Sequence, residues 1–267
     1  MIFFFDKIKK AEVVLLLLKN QMVLTALLVL LILITILLGG ALTLIERKIL
    51  AILQRRVGPN IVGHRGRLQF IADAVKVLLK EVIFLKNVNT RQHILLPTVF
   101  LIINIQPFIY LTWGIKKEFL HVNNNLLWVL ILFTISNLLI IYTGYVLKNK
   151  YTTIAATRTT NILINMEIVQ GFFISAVAVV FGTLNIEEIV SIKNNTNLTP
   201  MIIPIAAVWI SIALVESGKA PFDIVEAETE IIMGFHSEYS GFLFVLFILG
   251  EYLHMVLVCY IVGTVLL

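Results

Sequence analysis

Long apolar runs alternate with short polar joints along most of the chain. The runs fall at about 22–44, 94–115, 125–147, 161–184, 200–215 and 241–266. Most reach the roughly 20 residues that a helix needs to cross a hydrocarbon layer. This predicts an all-α integral membrane protein, a bundle of about six transmembrane helices plus interfacial amphipathic helices. We read residues 1–267 as a single integral-membrane domain, with 1–21 an N-terminal interfacial extension and 22–267 a six-span core. Pro97 is expected in the first turn of the second span, and the internal Pro107 predicts a kink. Between the first two spans, 68–81 repeats apolar residues at helical spacing (Leu68, Ile71, Ala72, Val75, Leu78, Leu79), with Asp73, Lys76 and Lys80 on other faces. That pattern predicts a helix lying on the membrane surface.

Composition agrees with the pattern. Hydrophobic residues make up 59% of the chain, charged residues 14%, and mean hydropathy is +0.98, whereas a soluble domain is about a quarter charged. One cysteine, Cys259, excludes intrachain disulfides and cysteine-built iron–sulfur or zinc sites. The charges after Phe3–Phe5, with no small-residue cleavage site beyond them, do not read as a signal peptide.

Charge sets the topology. Ten of the 21 basic residues fall in 45–93, which places that loop on the positive-inside face. The net charge of +5 is a topology signal, and no nucleic-acid partner is expected. With six spans, the joints 148–160 and 216–240 share the basic face. Six of the 16 acidic residues lie in 216–240: Glu216, Asp223, Glu226, Glu228, Glu230 and Glu238. Basic and acidic loops on one surface can pair and hold charge partly buried. Locking two loops together would be the simplest use of such pairing.

Acidic residues inside apolar runs need a reason. Glu167 and Glu251 lie within spans and Glu216 ends one, at a cost of at least about 2.5 kcal/mol for a carboxylate at the membrane centre. Asn165 and Gln170 flank Glu167, and Glu251 precedes His254 by one turn. Such neighbours suit either a watery proton path or a polar tie between helices. Asp223, Glu226 and Glu230 share one helical face, with Glu228 pointing elsewhere and Pro221 suited to the helix start. The histidines show no metal-ligand spacing, and no single catalytic side chain is evident.

Two long segments resemble the signature regions of subunit 1 of NADH:ubiquinone oxidoreductase, respiratory complex I. They are LIERKILAILQRRVGPNIVG (44–63), continuing into LQFIADAVKVLLKE (68–81), and LVESGKAPFDIVEAETEIIMGFHSEYS (214–240). The region around Arg158 and Glu167 is also similar, and the likeness covers roughly 22–266. The resemblance implies a core membrane subunit joining the two arms of the complex, with ubiquinone as bound substrate. It implies no NADH, flavin or iron–sulfur cluster on this chain, and no activity apart from the complex. On that basis Arg47, Arg56, Phe222 and Asp223 are expected along the quinone tunnel. Glu46, Asp73, Glu81, Arg158, Glu167, Glu216, Glu226, Glu228, Glu230 and Glu251 are expected on the path that couples quinone reduction to proton translocation. The expected partners are other complex I subunits and membrane lipids, and the expected location is the mitochondrial inner membrane with organelle encoding.

Some positions depart from the family pattern. Lys219 stands where Arg is frequent, Val57 replaces a frequent basic residue, and His64-Arg65 replaces the usual Pro-aromatic pair. The family has eight spans, so the last two are expected from a separate polypeptide. The residues themselves leave open a homologous subunit of a bacterial, plastid or hydrogenase-type complex, an independent ion transporter, and a purely structural anchor.

Overall fold

The computed structural model describes residues 2–85, 88–110, 124–195, 199–218, 222 and 234–266. Eight α-helices follow in order among them: α1 Ile2–Leu53, α2 Gln69–Leu78, α3 Thr90–Tyr110, α4 Asn125–Val146, α5 Lys150–Phe181, α6 Ile186–Asn195, α7 Thr199–Glu216 and α8 Phe242–Ile261. Short 3-10 turns cover His64–Gly66 and Gly234–Glu238, and a π turn at Val262–Leu266 extends α8. No strand occurs among the described residues. Among the described residues, four stretches are long and apolar enough to cross a membrane: Val29–Leu53, Asn125–Val146, Lys150–Phe181 and Phe242–Thr264. A shorter apolar helix spans Pro200–Glu216, and α3 runs up to the undescribed residues 111–123.

Three boundaries differ from the hydropathy reading, each for a local reason. α1 does not stop at residue 44. It contains no proline, so nothing breaks its hydrogen-bond ladder, and the helix carries Glu46, Arg47 and Lys48 on its last turns. It ends at Leu53; two residues on, Arg55 takes a positive φ of 55°, and Arg56 N–H donates to the Ala51 carbonyl at 2.9 Å. α5 begins at Lys150, inside the joint expected at 148–160. Asn149 caps it by accepting from Tyr151 N–H at 3.4 Å. The Thr152, Thr153, Thr157 and Thr159 hydroxyls all donate to carbonyls three residues back, so a polar-looking tract hides its polarity within the helix. α3 begins at Thr90, which puts Pro97 two turns in rather than in the first turn. The proline has no N–H for the His93 carbonyl.

The helix expected over 68–81 is present as α2. Its Phe70 ring lies 3.1 Å from where a Cβ on Gly40 would sit, so the glycine lets α2 close onto α1. Ile71, Val75 and Leu78 remain exposed on it.

α8 is the hub of the bundle and packs against α1, α3 and α7. Gly250 on α8 admits the Phe100 ring of α3, where a Cβ would meet Cε1 at 2.5 Å. Phe100 in turn stands 5.3 Å, centroid to centroid, from Phe247 of α8. On the far side Trp209 of α7 is fully buried, tilts against Phe173 of α5 at 4.3 Å, and donates to the Val258 carbonyl at 3.4 Å. Gly144 brings α4 and α5 close, with a virtual Cβ only 2.7 Å from Ala156 Cβ.

Candidate functional site

Helices α3, α4, α5, α7 and α8 do not close completely on one another. They leave a cavity with about 100 Å³ of space for water-sized spheres, enough for several waters. Its apolar wall includes Phe100, Ile140, Leu163, Met166, Met255 and Phe222. Its polar wall includes Asn137 and Ser136 of α4, Thr159 of α5, Glu216 and Ser217 at the end of α7, and Glu251, Tyr252 and His254 of α8. An apolar chamber with a few convergent polar groups is the usual form of a small-molecule site.

Glu216 is the most deeply buried carboxylate of this wall, its side chain 1% exposed. A carboxylate so placed needs partners. Gln170 of α5 donates its amide to Oε1, and His254 Nε2 stands 3.6 Å from Oε2. His254 is held by the Phe133 ring at 4.3 Å. The helix phase explains the convergence: Gln170 lies one turn beyond Met166 on the cavity-facing side of α5.

Glu251 sits one turn earlier on α8 than His254 and is more open, at 32%. Its Oε1 lies 2.9 Å from Nε2 of His236, a buried residue of the 3-10 turn that leads into α8. Next to it, the Tyr252 hydroxyl donates to Glu46 of α1. The cavity wall therefore continues through Tyr252 to α1.

Beyond the cavity, Glu46 is followed by Arg47, which pairs with Asp73 of α2 at 2.6 Å, and Gln69 also donates to Asp73 at 2.9 Å. Glu238 accepts from Asn149. Behind the 3-10 turn, Tyr239 stacks on His93 at 4.6 Å with rings 8° apart. Burial holds His93 below its ordinary value, opposed by the charge of Glu238, and burial pushes the Tyr239 phenol up.

The structure sorts the residues singled out from sequence. Glu216, Glu251 and Phe222 line one cavity, and Glu46 reaches its edge through Tyr252. Arg158 is half-buried on α5, next to Thr159 of the wall. Arg47 and Asp73 pair away from the cavity, Arg56 is exposed in the turn after α1, and Glu81 is exposed before α3. Glu167 is exposed on α5 and does not line the cavity. Asp223, Glu226, Glu228 and Glu230 lie outside the described residues. Sequence reasoning passed over Tyr252, His236 and the Ser136-Asn137 pair. The pair was signalled by two polar residues inside an apolar run, but Tyr252 meets Glu46 across 206 positions, which no local pattern reveals. Gln170, read as a neighbour of Glu167, is instead the partner of Glu216.

Comparison with known proteins adds an independent line. The family model for NADH dehydrogenase matches residues 25–267. The chain is 36% identical over 219 residues to the H subunit of NADH-quinone oxidoreductase from Ruthia magnifica, covering 80% of this chain and 61% of that protein. It is 33% identical over 215 residues to NADH-ubiquinone oxidoreductase chain 1 of Paramecium tetraurelia, covering 80% and 82%. The corresponding H subunit from Rickettsia africae is 35% identical over 219 residues, covering 81% and 65%. The matched region thus spans a little under two thirds of the bacterial relatives.

Proposed function

The chain belongs to the NADH dehydrogenase family, and from that premise we propose that its cavity receives the ring of ubiquinone and that the acidic wall exchanges protons with it. The chain acts as a membrane subunit of an NADH:ubiquinone oxidoreductase, beside other complex I subunits. Relatives from bacteria and from Paramecium tetraurelia match at similar identity. Of the two settings, bacterial membrane and mitochondrial inner membrane, we favour the second, because the composition is rich in Ile, Phe, Asn and Lys.

One observation carries the reading: a carboxylate 1% exposed, Glu216, is held in the same chamber as Phe222, Met166 and Met255. The apolar wall suits a substituted ring and the start of an isoprenoid tail. Reduction of a quinone to a quinol takes up two electrons and two protons. We assign the electrons to a partner subunit and the protons to the acids of this chain. Arg47, Arg56 and Asp223 are proposed for the approach to this chamber. The remaining acids, with Arg158, are proposed for the onward path. They are Glu46, Asp73, Glu81, Glu167, Glu216, Glu226, Glu228, Glu230 and Glu251.

Glu216→Gln tests this. It keeps the shape and the hydrogen bond from Gln170 while removing the carboxyl that holds the proton. In membranes carrying the assembled complex, NADH:ubiquinone reductase activity should fall about tenfold or more, with NADH oxidation by an artificial electron acceptor unchanged. Full ubiquinone reductase activity would refute the assignment.

A further inference from the structure

Two histidine–glutamate pairs flank the cavity, and they are built differently. In the Glu216–His254 pair both partners are buried and both line the chamber. In the second pair Glu251 lines the chamber but His236 does not. His236 is 6% exposed and is boxed in by three rings. Phe235 lies at 4.1 Å, Phe244 edge-on at 5.6 Å and Phe247 edge-on at 5.7 Å. Its route to the cavity is through Nε2, 2.9 Å from Glu251 Oε1.

We propose that His236 is a positioning residue for Glu251: it fixes the carboxyl toward the cavity and resupplies the proton that Glu251 gives up. The inference rests on the reading of the cavity as a ubiquinone site. The arrangement is a buried imidazole behind a carboxyl that faces the reacting group. With its proton, the pair is imidazolium and carboxylate and carries no net charge. The Nε2 proton passes to Glu251 Oε1, and the carboxyl so formed then gives that proton to the reduced quinone oxygen. That leaves neutral imidazole and carboxylate, one proton fewer. The aromatic box serves this role by keeping water from Nε2 and by holding the ring plane.

Other ionisable groups stand around the pair. α8 itself brings Tyr252 and His254, α1 brings Glu46 and Arg47, α7 brings Glu216, and α5, packed on the 3-10 turn, brings Arg158. The turn carries Glu238, and His93 of α3 stacks beside it on Tyr239. Removing His236 alone leaves all of these in place.

The test is the pH profile of ubiquinone reduction by membranes containing the complex with His236→Gln. Glutamine preserves a hydrogen bond to Glu251 but cannot carry the proton. Loss of the imidazole leaves Glu251 to hold its proton with carboxyl affinity, so the alkaline limb of kcat should move about one pH unit lower, with KM for ubiquinone changed less than about twofold. An unshifted limb overturns the proposal. Glu251→Gln separates the two levels of inference. If it leaves ubiquinone reduction intact, the cavity reading itself fails. If it lowers activity while His236→Gln keeps the native pH profile, only the role of His236 fails. Should neither variant assemble, redox-induced infrared difference spectra of the native complex with isotope-labelled histidine decide. A shifted imidazole band accompanying a carboxyl band supports the proposal, and no imidazole band overturns it.

Discussion

Single residues decide how closely the helices meet, and Gly250 illustrates it. A methyl there would stand 2.5 Å from Phe100 Cε1, and Phe100 is 2% exposed. Gly250→Ala should therefore cost about 1–3 kcal/mol, seen as a lower unfolding temperature in detergent. His93 gives a pH test at the same scale. Its imidazole is held below the ordinary value of 6.5, so the unfolded chain takes up a proton before the folded one. Stability from this site is complete above that pH and is lost as pH falls toward the depressed folded value. Thermal unfolding between neutral and mildly acidic pH should show the loss, and His93→Phe should flatten the slope. Carboxylates within apolar runs were legible from sequence, because their cost alone demands a reason. Their partners were not. Glu216 finds Gln170 and His254 only when three helices assemble.

At the scale of elements, hydropathy located the helices and misjudged their ends. Apolarity measures where a helix can sit in lipid, whereas capping and hydrogen bonding determine where it starts and stops. α5 is the clearest case. Asn149 and the threonine hydroxyls continue it through residues that a hydropathy scale reads as a joint. Asn149→Ala removes both the cap and the bond to Glu238, and should cost about 1–2 kcal/mol in stability. The contact between α1 and α2 gives a contrasting expectation. Arg47 and Asp73 are close but their side chains are 56% and 36% exposed. Asp73→Asn should change stability by less than about 1 kcal/mol. Any larger loss of quinone reductase activity in that variant would then report function rather than folding.

At the scale of the molecule, the periodic apolar runs made a membrane bundle legible, and the matched family residues made its kind legible. The cavity was not legible as a shape, because it is the space left where α3, α4, α5, α7 and α8 fail to close. Phe222 shares this chamber with Glu216 and Glu251. The central claim is that ubiquinone occupies this chamber. The most direct measurement is photolabelling of the assembled complex with a ubiquinone analogue bearing a photoreactive group on its ring, followed by peptide mapping of this chain. Occupancy predicts label on Met166, Phe222 or Met255, suppressed by excess ubiquinone. Competed label confined to other parts of the complex, with none on these wall residues, would contradict the account.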